Sequence, residues 1–255
     1  MRAPSPSFRK RIKRGDQLLG TLVSLSTPEV AELMARVGFD WLFIDLEHGG
    51  PDLALAQRML QAVGDRCHTA VRVPALDETW IKKCLDFGPD AIIVPQVNSA
   101  AQAEQAVRMC KYPPAGTRGV GIGRAQGYGL DFDAYVRSAN DRIAVIVQIE
   151  HVQAVAQVEA IAAVPGVDVL FIGPYDLSAS MGLMGQVGAP EVVQAVQRVA
   201  ATARKMGKAL GFFGLSAEAV RPYLAAGYQL IAVGQDLALL GQAAKQLLAE
   251  LRPPA

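Results

Sequence analysis

The chain has 255 residues, 51% of them hydrophobic and 19% charged, and its 25 basic side chains nearly balance 24 acidic ones for a formal net charge of +1. That balance argues against a nucleic-acid or acidic-membrane partner, and no apolar run approaches the ~18–20 residues of a membrane span. Cys67, Cys84 and Cys110 are too few and too far apart for a disulfide framework or a Cys-pair zinc site, so they read as reduced packing residues of a cytoplasmic, globular chain.

The basic cluster Arg9, Lys10, Arg11, Lys13 and Arg14 has no apolar stretch behind it and predicts a solvated first helix within an N-terminal segment, 1–17, rather than a secretory signal. Short β-rich runs then recur at Leu18–Ser26, Trp41–Glu47, His68–Pro74, Ala91–Val97, Ala144–Glu150, Val167–Gly173, Ala209–Gly214 and Gln229–Gly234. Most are nearly all apolar, as strands covered on both faces should be. Amphipathic helices separate them. Thr27-Pro28-Glu29 supplies an N-cap, a first-turn proline and an acidic first turn, and Pro190–Lys205 keeps Val192, Val193, Val196, Val199 and Ala200 on one stripe. Strands alternating with helices over this length predict one (β/α)8 TIM-barrel domain across 1–255, ending in a C-terminal helix at 236–255. An open doubly wound sheet is the competing arrangement. The one irregular link, Tyr112–Leu130, is rich in Pro and Gly and reads as a mobile or substrate-contacting loop, with Arg118 and Arg124 as anion contacts.

A barrel carries its chemistry at the C-terminal ends of its strands. Polar residues there are Asp45, Glu47 and His48 after strand 2, Arg72 in strand 3, Gln96 after strand 4, Gln148 and Glu150 in strand 5, and Asp176 after strand 6. Glu150 and Asp176 come from adjacent strands, where two carboxylates repel unless a proton, an arginine or a cation lies between them. An all-oxygen pair suits Mg²⁺ or Mn²⁺, and a salt bridge to arginine is the other possibility; both stay open at this point. Arg72 is costly to bury without an anion, either a substrate or Asp45 and Glu47. His48, on a glycine-flanked loop, has the place of a general base. Asp86 follows strand 3 on a helix outside its own barrel, so any catalytic role would be in another subunit. No lysine sits in a strand interior for a Schiff base, and the glycines of the long loop do not fit a dinucleotide fingerprint.

The segments Phe39–His48, Lys111–Gly121, Gln148-Ile149-Glu150 and Phe171–Ser178 resemble the HpcH/HpaI aldolase family, with the motifs in order from about Gly20 to Leu240. The resemblance implies a TIM barrel of the phosphoenolpyruvate/pyruvate type and a class II aldolase. Such an enzyme cleaves 4-hydroxy-2-oxo acids to pyruvate, or a close 2-oxo acid, and an aldehyde through a metal-bound enolate. It implies Glu150 and Asp176 as ligands of a divalent ion (Mg²⁺, Mn²⁺ or Co²⁺), which decides the open question for metal. It also implies Arg72 as enolate stabiliser, His48 as proton acceptor, Asp86 of a neighbour as its helper and Asp45 as an acid near the histidine. Gln148, Tyr175, Gly173, Phe213 and Arg72 fall at substrate-binding positions, and the assembly implied is a homo-hexamer, a trimer of dimers with C-terminal helices exchanged. Tyr175 and Phe213 depart from smaller residues in relatives, so they and the long loop bear on the aldehyde. A lyase or synthase acting on citrate-like or acyl-CoA substrates, and a non-catalytic barrel that binds 2-oxo acids, are the alternatives.

Overall fold

The computed structural model describes residues 6–252, so residues 1–5 of the N-terminal segment and 253–255 of the expected C-terminal helix lie outside the described residues. The strands are β1 (Leu18–Val23), β2 (Trp41–Asp45), β3 (His68–Arg72), β4 (Ala91–Val94), β5 (Ala144–Ile149), β6 (Val169–Ile172), β7 (Ala209–Gly214) and β8 (Leu230–Gln235). They pair in parallel in chain order, and β8 closes on β1. The fold is therefore a closed (β/α)8 barrel, and the open-sheet alternative is excluded.

Four ladders stop two or three residues short of the apolar runs that announce them, at Val23, Asp45, Arg72 and Val94 rather than at Ser26, Glu47, Pro74 and Val97. The reason is packing. Leu46, Val73 and Val97 remain buried after the ladder ends, so their apolarity reports cover by helices and not strand pairing.

Side-chain alternation divides the core in two. Leu42, Ile44, Val71, Val145 and Leu170 face outward and pack under the helices. Trp41, Phe43, Ala70, Ile93, Ile146, Val169 and Phe171 fill the barrel, where Phe171 meets Trp41 and Phe43 edge-on at ring distances of 6.4 and 5.8 Å. The helix Phe8–Arg14 plugs the floor of this interior with Phe8 and Ile12, Phe8 lying 6.0 Å from the Trp41 ring. Its basic residues are only partly solvated, contrary to expectation. Arg9 grips both oxygens of Asp168 at 2.8 and 2.9 Å, and Arg11 reaches Asp16 and Asp40, while Lys10, Lys13 and Arg14 are exposed. The side chains of Asp52, Asp77, Ser99 and Ser216 cap the helices that follow them by accepting backbone N–H bonds. Thr27 stands at its expected N-cap, but its hydroxyl bonds Glu29 instead of the backbone.

The three cysteines are free, and burial pushes each thiol up to about 12, as packing residues require. In β1, Gly20 presses on Trp41: a Cβ there would lie 2.5 Å from Trp41 Cε2 and 2.6 Å from its carbonyl oxygen. Neither neighbour can retreat from the barrel interior. Gly20→Ala should therefore cost about 1–3 kcal/mol of stability, read as a lower urea midpoint.

Candidate active site

The strands deliver their polar ends to one cavity of about 190 Å³ at the barrel mouth, lined by Leu22, Phe43, Asp45, His48, Arg72, Gln148, Phe171, Gly173, Pro174, Tyr175, Asp176, Phe213 and Gln235. Arg72 is its centre. In β3 the two-residue step from the inward-facing Ala70 keeps Arg72 in the barrel, where it is 7% exposed and stacks over the Phe43 ring at 5.1 Å. Its Nε and Nη2 donate to Asp45 Oδ1 and Oδ2 at 2.8 and 2.7 Å, Nη1 lies 3.0 Å from Glu47 Oε2, and Nη1 also reaches Gln148 Oε1 at 3.4 Å. Burial opposes the charge, but Asp45, Glu47 and Glu150 outweigh it, so the guanidinium stays charged. The pairing considered for Arg72 from sequence, with Asp45 and Glu47, is present.

The pairing considered for Glu150 and Asp176 is absent: among the described residues neither carboxylate forms a salt bridge to arginine or lysine. Glu150 is buried. Its Oε1 accepts the Gln96 N–H at 2.8 Å, and its Oε2 accepts Gln148 Nε2 at 2.7 Å. Burial pushes its acid up to about 7, and the negative charges of Asp176 and Glu47 push the same way against the Gln96 N–H and Arg72. Glu47 is raised too, chiefly by burial. Asp176 is exposed on the first turn of the helix Pro174–Ser180. Gly173 is required beside Glu150, because a Cβ there would stand 2.6 Å from Glu150 Oε2. Gln96 holds its amide toward Glu150 with a φ of 53°, a left-handed conformation that a non-glycine residue keeps only where its surroundings enforce it.

His48 lines the cavity on an exposed loop, with Nε2 3.9 Å from Glu47 Oε2. Asp45 does not bond its imidazole; Asp45 Oδ1 accepts the backbone N–H groups of Glu47 and His48 while holding Arg72. Tyr175 and Phe213 face each other at 6.4 Å. Asp86 is not brought to the mouth. It ends the helix Glu78–Asp86, pairs with Arg118 at 3.0 Å and lines a separate cavity with Leu53, Ile122 and Tyr128. The loop Tyr112–Leu130 is likewise outside the mouth of its own barrel, which corrects the expectation that it shapes that pocket. Arg118 is buried against the Tyr112 and Tyr135 rings, and Arg124 donates to the carbonyls of Phe87 and Leu60, so neither is a free anion contact. Sequence reading missed Gln235, whose approach to the mouth depends on a break in strand register that leaves no mark in composition.

The model of the HpcH/HpaI aldolase/citrate lyase family matches residues 19–243. The chain belongs to that family. It is 41% identical to the 4-hydroxy-2-oxovalerate aldolase of Rhodococcus jostii, covering 98% of this chain and 97% of the relative. It is also 41% identical to the hydroxypyruvate/pyruvate aldolase of Pseudomonas aeruginosa, covering 97% and 93%. Among solved structures, an HpcH/HpaI aldolase/citrate lyase family protein of Burkholderia cenocepacia superposes with a TM-score of 0.93 at 38% identity, covering 96% of this chain and 98% of that one. With near-full-length aldolases at this identity, the chain is an aldolase, a carbon–carbon lyase. No helix among the described residues is long and apolar enough to cross a membrane.

Removing one partner of a buried ion pair strands the other, whereas an exposed pair is worth little. Asp45→Asn in this aldolase should therefore cost about 3 kcal/mol, the low end for a buried pair because Glu47 still faces Arg72. Glu32→Gln, at the exposed Arg36 pair, should cost under about 1 kcal/mol. Denaturant midpoints of the two variants check the contrast.

Proposed function

We propose that this aldolase reversibly cleaves 4-hydroxy-2-oxo acids to pyruvate, or a close 2-oxo acid, and an aldehyde. The observation that carries the reading is a buried, charged Arg72 at the cavity that Asp176 also lines, joined through Gln148 to a buried Glu150, with neither Glu150 nor Asp176 in a salt bridge among the described residues. Breaking the C3–C4 bond sends its electron pair toward C2 and leaves negative charge on the C2 oxygen. Arg72 Nη1 is the donor that stabilises that charge. His48 accepts the C4 hydroxyl proton as the aldehyde carbonyl forms. Gln148 holds Glu150 in place and presents its amide beside Arg72. Gly173 and Tyr175 border the 2-oxo acid, while Phe213 and Leu22 border the aldehyde.

Glu150 and Asp176 are the residues that would hold a divalent cation such as Mg²⁺, Mn²⁺ or Co²⁺. The fit lies in their donor chemistry: two carboxylate ligands, one of them pushed up in pKa by burial and then by neighbouring negative charge. Among the described residues no three His, Cys, Asp or Glu side chains converge as a metal set, so such an ion would complete its shell with substrate and water. When bound, it would supply Lewis-acid polarisation of the C2 carbonyl.

Asp86 supports His48 from a neighbouring subunit in this reading, within a cytoplasmic homo-hexamer of a single-domain chain. A trimer of dimers needs two different contact surfaces. Two exposed apolar sets support it: Leu237, Leu240, Leu247 and Leu251 on the C-terminal helix Asp236–Leu251, which would exchange between partners, and Val120, Ile122, Tyr128 and Leu130 beside Asp86. Free cysteines accord with a reducing compartment.

The central test follows deuterium entry into the pyruvate methyl group in D₂O. EDTA should abolish it and added Mg²⁺, Mn²⁺ or Co²⁺ should restore it; full exchange in the chelated protein would contradict the metal assignment. Arg72→Ala should lower aldol cleavage by about 10²–10³ in kcat. Near-normal turnover in that variant would remove Arg72 from the mechanism. For the subunit claim, inactive His48→Ala and Asp86→Ala chains should regain activity when mixed and exchanged. No recovery after verified exchange would place the function of Asp86 elsewhere.

A further inference from the structure

β8 does not enter the mouth in regular register. Leu230 and Ala232 point into the barrel, so a regular strand would next turn Gly234 inward and Gln235 out toward the helices. Instead Gly20 of β1 pairs with Ala232 while Leu22 pairs with Gln235, so one strand advances two residues and the other three. Gly234, at φ 71°, absorbs the extra residue. This β-bulge reverses the parity of the strand and aims Gln235 into the cavity beside Leu22.

The amide is also oriented. Ser24 Oγ lies 2.9 Å from Asp236 Oδ1 and 2.9 Å from Gln235 Nε2. Asp236 is buried, and both its oxygens act as acceptors: Oδ2 takes the backbone N–H groups of Ser24 and Leu25, and Oδ1 takes that of Leu237 and the Ser24 hydroxyl. The single Ser24 proton therefore goes to Asp236, and Ser24 Oγ can only accept from Gln235. That turns the amide nitrogen toward Ser24. The Gln235 Oε1 accepts no bond among the described residues and is left to the cavity. In a barrel closed in chain order, β8 and β1 stand across from β4 and β5, hence across from Gln148 and Glu150. The cavity residues on Gln235's side, Leu22 and Phe213, are apolar.

We propose that Gln235 determines aldehyde specificity: its Oε1 selects aldehydes that carry a hydroxyl next to the carbonyl over aldehydes of equal size that carry a methyl there. This rests on the aldolase reading above. A hydroxyl satisfies the acceptor, whereas a methyl displaces water from it and returns nothing. Ser24 is a positioning residue in this scheme.

The experiment compares kcat/KM for glycolaldehyde and for propanal, each condensed with pyruvate. The wild-type enzyme should favour glycolaldehyde about tenfold, the worth of one net hydrogen bond. Gln235→Leu should bring the ratio close to one. Ser24→Ala, which frees the amide to turn, should lower it several-fold, to between about two and five. Each ratio compares two substrates on one preparation, so partial loss of folded protein cancels. A wild-type ratio near one, or variants that keep the wild-type preference, overturns the assignment. Methyl-proton exchange of pyruvate by the wild-type enzyme needs no aldehyde: its absence overturns the aldolase reading, and its presence with a ratio near one overturns only the role of Gln235.

Discussion

The mouth of the barrel is organised around one buried positive charge. Arg72 cannot enter a barrel interior of phenylalanine and isoleucine without anions, and Asp45 at the end of the neighbouring strand and Glu47 just past it meet it. Yet Asp45, Glu47, Glu150 and Asp176 together bring more negative charge than one guanidinium can balance. Glu150 is the most buried carboxylate with no guanidinium bonded to it, and its acid rises to about 7, chiefly through burial and further through the negative charges of Asp176 and Glu47. The polar chemistry of the site is thus an imbalance: a fixed cation at one edge and an unmet demand for positive charge at the other.

That arrangement depends on backbone features that contribute no side chain to it. Gly173 leaves room for Glu150 Oε2, and Gln96 accepts a left-handed φ so that its N–H can meet Oε1. On the far side, the bulge at Gly234 exchanges the parity of β8. Such local irregularities are costly in isolation and persist where the surrounding sheet enforces them. The regular ladders supply that enforcement, with Phe8 and Ile12 closing the floor and the Trp41, Phe43 and Phe171 rings filling the interior beneath the mouth.

The barrel was legible in the sequence because parallel strands covered on both faces are apolar throughout, and eight such runs leave few topologies. Their ends were less legible, since Leu46, Val73 and Val97 are buried by helices and look like more strand. Arg72, Glu150, Asp45 and Gln148 stood out as polar residues interrupting apolar runs, a signal that burial cost makes physically meaningful. Arg118 and Arg124 stood out only as charges in a Pro- and Gly-rich loop, and they fasten that loop to tyrosine rings and helix-end carbonyls. Charge alone does not distinguish an arginine awaiting an anion from one holding a loop. Gln235 was invisible, because strand parity read from the sequence turns it outward and only the register shift turns it in.

A closed barrel also separates chemistries by strand number. Charge and its partners come from β2, β3, β5 and the start of the helix after β6, while β1 and β7 contribute Leu22 and Phe213, and β8 adds a single amide. Strands that are distant in chain order face each other across the mouth. One cavity of about 190 Å³ therefore has a highly charged wall and a nearly apolar one. An aldol cleavage needs that asymmetry, since one fragment leaves with a carboxylate and a developing oxyanion and the other leaves neutral. Changes on the apolar wall can then alter which neutral fragment fits without disturbing the charges that stabilise the anionic one. Changes to the charged wall have no such freedom, because Asp45 and Glu47 share Arg72 and Gln148 bridges Arg72 to Glu150.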